Sequence, residues 1–269
     1  SFFKIAYDLK NDKFPKIKLL GSNIIDFDLP FFARSIFHLK SIFYDGIATQ
    51  LYVDRRGGPE EKQLGFDTVS KIKAYAALAS ASRNTTNELY ITEVNWPLKE
   101  MSRWSPSEEY LIEESLQSSY LIRYYLLTLA SGKVKKCYWH QLVAPGYGLV
   151  NNLDGEIKKR DAYFCFKHLV TLLSGGKTKK FIQERKLYCL IVEKEDTIIE
   201  AIWSSDENAS LKSQPCQQIF DIRGKEIETK NSPTIEITGE VIYLEKQKNN
   251  YEEINLKSIN EQRKKNRQN

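Results

Sequence analysis

The chain has 269 residues, of which 41% are apolar and 28% charged, with a formal charge of +5. That is long enough to bury a sizeable core, in one large domain or two smaller ones, and no apolar run nears the ~20 residues of a membrane span. The last fifteen residues, NLKSINEQRKKNRQN, hold five basic residues and one acid, so the tail carries +4 and the body is close to neutral; no basic face with interleaved aromatics points to nucleic acid.

The opening SFFKIAYDLKNDKF mixes charge into its apolar positions and lacks the core and small-residue cleavage site of a signal peptide. Its FFKIAYDL portion reads as the end of an amphipathic helix halted before Pro15, and the missing initial Met suggests a processed chain or a fragment. IKLLG (17–21) reads as a short strand, PFFARSIFHLKSI (30–42) as a helix, and GIATQLYV (46–53) as a strand leading into the loop DRRGGPEEKQLG. FDTVSKIKAYAALASAS (66–82) follows as a helix and ELYITEV (88–94) as a strand. Ser105-Pro106-Ser107-Glu108 has the form of a capping box with Pro at the first helical position, predicting a long helix from there to Gly132. KVKKCYWHQL (133–142) is the last strand of the series, and DAYFCFKHLVTLLSGG (161–176) the closing helix.

Strands separated by helices build βαβ units with parallel strands, in a doubly wound sheet or a (β/α)₈ barrel. The polar residues favour the barrel. Asp26 and Asp28, Tyr52 and Asp54, Glu93 and Trp96, and His140 and Gln141 all fall at or just past the C-terminal ends of strands, where barrel enzymes keep their chemistry. No G-x-G-x-x-G or G-x-x-x-x-G-K-[ST] fingerprint occurs, and the strand ends offer no lysine with a phosphate-binding glycine loop, as an aldolase would need. After Gly176 the stretches RKLYCLIVEKEDTIIEAIWSS, CQQIFDIRGKEIET and PTIEITGEVIYLEK alternate like antiparallel strands, with Asp221-Ile222-Arg223-Gly224 as a hairpin turn. The expected organisation is a partial barrel over 1–176, a β-sandwich-like domain over 177–247 and a basic, disordered tail over 248–269.

Cys137, Cys165, Cys189 and Cys216 are widely spaced, without a C-x-x-C pair, so each is expected as a small buried apolar residue in a reducing, cytoplasmic setting. Lone histidines give no metal spacing, so no metal or other cofactor is expected. His38 and His168 lie on helical patterns and read as structural, as do Tyr124 and Tyr125. Asp28 reads as a helix N-cap, Arg55 and Arg56 as loop residues that suit an acidic-sugar subsite, and Tyr147 as a residue placed to line the cleft.

The series IKLLGSNIIDFD, YDGIATQLYVD, ELYITEVNWP and VKKCYWHQL, followed by a β-domain ending PTIEITGEVIYL, resembles clan A glycoside hydrolases, above all the xylosidase and iduronidase-like enzymes of family 39. The resemblance covers residues 1 to about 247 and implies that the chain is the C-terminal half of a TIM (β/α)₈ barrel, strands five to eight, followed by a small antiparallel β-domain. It implies retaining hydrolysis with Glu93, after Thr92, as nucleophile, and Tyr52 donating a hydrogen bond to it. It further implies Trp96 and Trp139 as platforms for the C–H face of a sugar, with His140, Gln141 and Asp26 as hydroxyl ligands. The family's acid/base glutamate follows an asparagine just before the helix that FFKIAYDL finishes, and this chain has no N-E pair at that place. The expected partners are therefore a carbohydrate substrate and the missing N-terminal half of the barrel, with no membrane and no nucleic acid, and the chain alone is expected to be nearly inactive. The competing reading is a non-catalytic carbohydrate-binding or polysaccharide-assembly protein that keeps the cleft.

Overall fold

The computed structural model describes residues 2–37, 43–53, 56–81, 88–99, 103, 108–206, 208–212, 218–228 and 234–259. Helix α1 (Phe2–Lys13) leads into β1 (Leu20–Ile25), α2 (Leu29–Phe37), β2 (Gly46–Gln50), α3 (Thr68–Ala81), β3 (Leu89–Val94), α4 (Glu114–Ser131) and β4 (Val134–Trp139). Strands β1 to β4 form one parallel sheet in chain order. A helix stands between each pair, which is the βαβ repeat that the alternating periods predict.

Asp28 caps α2 through Oδ1, which accepts from the Phe31 N–H at 2.8 Å, and Asp67 does the same for α3 through the Ser70 N–H at 2.8 Å. Gly132, in the left-handed region at φ 62°, stops α4 where the glycine signal places the stop. Ile24, Ile47, Leu89 and Ile91 point from the sheet to Phe32, Ile36, Ile72, Tyr75 and Tyr124 on the helices, all buried in one core.

Two boundaries differ from expectation. The first strand starts at Leu20, not Ile17, because Asp45 takes the Leu19 N–H on its carboxylate (2.8 Å) and gives its own N–H to the Leu19 carbonyl (2.6 Å), while Ile17 lies 57% exposed. Helix α4 starts at Glu114, because the Ile112 N–H is committed to the Pro97 carbonyl (2.9 Å) and the Ile112 carbonyl to the Lys99 N–H (3.0 Å). Ser105, Pro106 and Ser107 of the expected capping box lie outside the described residues, and a short 3₁₀ turn occupies Glu108–Tyr110.

A small hairpin of β5 (Val150–Asn151) and β6 (Lys158–Lys159) precedes α5 (Asp161–Leu173). Then the chain turns antiparallel with β7 (Lys177–Glu184), β8 (Leu187–Glu193), β9 (Thr197–Ser204), β10 (Ala209–Lys212), β11 (Gln218–Phe220), β12 (Thr234–Ile237) and β13 (Ile242–Gln247). Five of these form a sheet ordered β11-β13-β9-β8-β7, while β10 pairs with β12. Alternation gives the large sheet two apolar faces. Tyr188, Leu190, Ala201, Trp203 and Tyr243 pack on Leu121, Ile122 and Leu126 of α4 and on Cys165 and Leu169 of α5. Leu187, Cys189, Ile191 and Ile202 face Ile235 and Ile237 of β12.

The same outer face corrects the tail. Residues 248–259 are not disordered; Ile254, Leu256 and Ile259 are buried against the sheet, and the buried Glu200 accepts from the Tyr251 hydroxyl at 2.9 Å and the Ile254 N–H at 3.0 Å. Residues 260–269 lie outside the described residues. Among the described cysteines Cys165 and Cys189 are buried and Cys137, partly buried overall, has its thiol pushed up to about 12 by burial; all three are free thiols. No helix of the described residues is long and apolar enough to cross a membrane.

Candidate active site

The C-terminal rim of the parallel sheet gathers Asp26 after β1, Tyr52 and Arg56 after β2, Glu93 in β3 with Asn95 beyond it, and His140 after β4. Backbone geometry places Glu93. Between Ile91 and Val94, β3 carries one residue more than either neighbour, since Thr49 and Gln50 face Ile91 and Glu93, while Cys137 and Trp139 face Ile91 and Val94. Such a bulge re-aims side chains at a barrel rim. Glu93 therefore lies beside Gln50 on the sheet face away from the helices, and its side chain is 22% exposed.

His140 is held by backbone on both sides. Its N–H donates to the Val94 carbonyl (3.0 Å), and its own carbonyl accepts from Asn95 Nδ2 (2.7 Å). The ring stacks on Tyr147 at 5.6 Å and 16°, which brings Nε2 to 3.8 Å from Glu93 Oε1. That separation exceeds a direct hydrogen bond and suits a charge pair or a bridging water. Thr92 hydrogen-bonds the Thr49 carbonyl at 3.2 Å, pinning the residue before Glu93 to the neighbouring strand.

Tyr52 departs from expectation. It is buried, and among the described residues it makes no hydrogen bond to Glu93; the Arg56 guanidinium covers its ring, with Cζ 3.5 Å from the centroid. His140 takes the place beside Glu93 that Tyr52 was expected to fill, because the chain after β2 folds Arg56 back over the tyrosine. Arg56 itself sits at φ 53°, its Nε is buried without a hydrogen-bond partner, and burial lowers its pKa to about 10, with Asp26 acting in the opposite direction. The Tyr110 ring centroid stands 5.9 Å from the same guanidinium carbon.

Trp96 is corrected more firmly. It is fully buried, its Nε1–H is shared by the carbonyls of Arg56 and Gly57 at 3.0 Å each, and its ring packs against Tyr120, Tyr124 and Trp139. A side chain with no exposed face cannot stack on a sugar; this indole anchors the loop after β2. Trp139 is partly buried, stacks on Trp96 at 24° and donates to the Tyr147 carbonyl at 3.0 Å. Tyr138, beside it, is 46% exposed.

Asp26 is exposed and left-handed at φ 57°, and its carbonyl accepts the Tyr75 hydroxyl at 2.9 Å. Gln141 is exposed next to His140. Asp54, Arg55 and His38 lie outside the described residues. Asn95 and Tyr110 went unread in the sequence. Asn95 had a signal, a polar residue directly after a strand end; Tyr110 had none, because its approach to Arg56 is a matter of tertiary placement. The assembled rim offers a half-open carboxylate with an imidazole beside it and, one strand over, a guanidinium whose buried donor lacks a partner.

No protein-family model and no curated protein matches the sequence. Solved structures do match the fold. A family 39 glycoside hydrolase from the gut symbiont Bacteroides cellulosilyticus superposes with a TM-score of 0.60 at 15% identity, over 75% of this chain and 44% of that one. A family 39 beta-xylosidase from Caulobacter crescentus gives 0.56 at 13% identity, over 91% and 60% of the two chains. A family 30 endoxylanase from Clostridium papyrosolvens gives 0.54 at 10% identity, over 91% and 59%. The chain thus spans 44% to 60% of the length of the structures it resembles, with the fold of part of a (β/α)₈ barrel plus an antiparallel β-region.

Proposed function

We propose that this chain carries one half of the active site of a retaining glycoside hydrolase, with Glu93 as the nucleophile. The observation that supports it best is the bulge that turns Glu93 onto the open face of the sheet, at the strand ends where barrel enzymes work. In this reading the Glu93 carboxylate forms a bond to the anomeric carbon as the glycosidic C–O bond breaks, and a second carboxyl protonates the departing oxygen. Water then attacks the glycosyl-enzyme ester, losing its proton to that same second group, and Glu93 leaves as the free carboxylate. The second carboxylate would come from the other four βα units of the barrel. His140, 3.8 Å away, would orient Glu93, while Trp139, Gln141 and Asp26 would contact sugar hydroxyls or faces.

The experiment joins this chain to a polypeptide supplying the other half-barrel and assays a panel of aryl glycosides. Glu93→Gln should lower kcat by at least about 10³-fold while leaving substrate binding within a few-fold, since it removes the group that forms the covalent bond. A 2-fluoroglycoside should label Glu93, read by peptide mass spectrometry. Full turnover in Glu93→Gln would end the nucleophile assignment. Binding without turnover in the wild type would favour a carbohydrate-binding protein instead.

A further inference from the structure

The loop after β2 touches two distant places. At its start, the carbonyls of Arg56 and Gly57 both accept the Trp96 indole N–H at 3.0 Å, three residues past Glu93, and Arg56 reaches over Tyr52. At its end, Glu60 enters a buried ion pair with Arg123 of α4, whose Nε donates to Oε1 at 2.9 Å and whose NH2 donates to Oε2. The two side chains are 4% and 6% exposed. Two groups of the antiparallel region complete the cluster: Trp203 of β9 donates its Nε1–H to Glu60 Oε1 at 2.7 Å, and the Gly239 carbonyl accepts from Arg123 NH1 at 3.3 Å. Backbone closes on the guanidinium from both sides, since a Cβ at Gly58 or at Gly239 would stand 3.3 Å from its nitrogens.

Between those ends the loop is stiff. Gly58 donates its N–H to Glu61 Oε1 and accepts the Glu61 N–H, both at 2.9 Å, and the Pro59 carbonyl takes the Thr68 hydroxyl at 2.6 Å. A carboxylate desolvated this fully and holding three donors has one low-energy position, and a loop fixed at four successive residues transmits it.

We infer that Glu60 is a positioning residue, through which the antiparallel region sets the loop that carries Arg56 and anchors Trp96 beside Glu93. For an effect on sugar binding this rests on the reading of the rim as a glycosidase site; for the loop itself it does not. The test uses a local reporter and a matched control.

The chain has four tryptophans, so a ¹⁵N-indole spectrum of the full chain is small enough to assign. Trp203→Phe removes the donor to Glu60 and keeps a ring, and Glu60→Gln removes the charge and keeps the shape. Tyr251→Phe is the control, because it deletes the hydroxyl that donates to Glu200 at 2.9 Å, a bond of the same kind to a buried carboxylate on the opposite face of the same sheet. In both Trp203→Phe and Glu60→Gln the Trp96 N–H should shift and exchange at least about 10-fold faster, while the Trp139 N–H, held by the Tyr147 carbonyl, keeps its exchange rate. Tyr251→Phe should leave Trp96 as in the wild type. An unmoved Trp96 in folded Trp203→Phe overturns the inference, and so does an equal response to Tyr251→Phe. Should Glu60→Gln fail to fold, Trp203→Phe decides alone. A titration with p-nitrophenyl glycosides, on the chain joined to the complementary half-barrel, separates the two readings. A wild type that binds none of them defeats the glycosidase reading and leaves the indole result standing. A wild type that binds, with Trp203→Phe binding equally well, defeats the positioning role.

Discussion

The two sheets of this molecule bury charge in opposite ways. In the antiparallel sheet, Glu200 is fully buried and paired with a cation: Lys246 stands 2.8 Å from Oε2, and the Tyr251 hydroxyl and the Ile254 N–H donate to Oε1. At the rim of the parallel sheet, Glu93 stands 3.8 Å from the His140 ring, and Arg56 keeps a buried Nε without a partner. The backbones differ in the same sense. The β9 ladders to β8 and β13 run without a register shift, whereas every pair in the parallel sheet is interrupted. One sheet sets a lysine against its buried carboxylate inside an unbroken ladder, and the other holds a partly exposed carboxylate at an interrupted, open edge.

The sharpest way to break that contrast is to unpair the structural charge. Lys246→Met leaves Glu200 buried with two neutral donors, and should cost about 3–5 kcal/mol in chemical denaturation. A loss below about 1 kcal/mol would mean that Glu200 is solvated in solution and that the two sheets are alike.

The turns give a second, smaller contrast. Gly224 sits at φ +87°, and a Cβ there would meet His168 Nδ1 at 2.3 Å, so Gly224→Ala should cost about 1–3 kcal/mol through backbone strain and displacement of the ring. Gly132, at φ +62° with open space around it, pays only the conformational part, about 1 kcal/mol for the alanine variant. Thermal melts of the two variants, compared at equal pH, check the difference.

The same turn carries a pH dependence. His168 packs against Phe220 and Tyr243, and burial lowers its pKa, with Asp221 pulling the other way. Between its folded and unfolded values the unfolded chain binds more protons, so stability rises with pH there and falls on acidification below the ordinary histidine value of about 6.5. His168→Gln should flatten the slope of melting temperature between about pH 5 and 7. An unchanged slope would place the acid sensitivity elsewhere.

Much of this was legible in sequence because it depends on period and punctuation. The order of strands and helices, the stop at Gly132 and the Asp221–Gly224 turn, closed by the Gly224 N–H on the Asp221 carbonyl at 3.0 Å, follow from local rules. What failed depends on partners far along the chain. Trp96 looks like a platform until Tyr120, Tyr124 and Trp139 close around it. The tail reads as solvated because its charges outnumber Ile254, Leu256 and Ile259, which nonetheless find an apolar face. β7 carries no buried-strand pattern, because its lysines suit an exposed edge strand. The bulge at Glu93 has no sequence signature at all, since register is a property of three strands together.

The smallest expected effect sharpens the contrast most. If Glu93 serves a ligand rather than the fold, Glu93→Gln should leave the stability of the chain within about 0.5 kcal/mol of wild type, as for a partly exposed group that faces the His140 ring at 3.8 Å. Slight stabilisation would fit equally well, because a carboxylate held beside a half-buried rim for chemistry is a common place where stability is given up. The glutamine keeps the volume and can still accept a hydrogen bond, so packing does not confound the reading. A loss above about 1.5 kcal/mol, measured by urea denaturation beside Lys246→Met, would make Glu93 a structural carboxylate of the Glu200 kind. Glu93 would then not be free to attack a sugar.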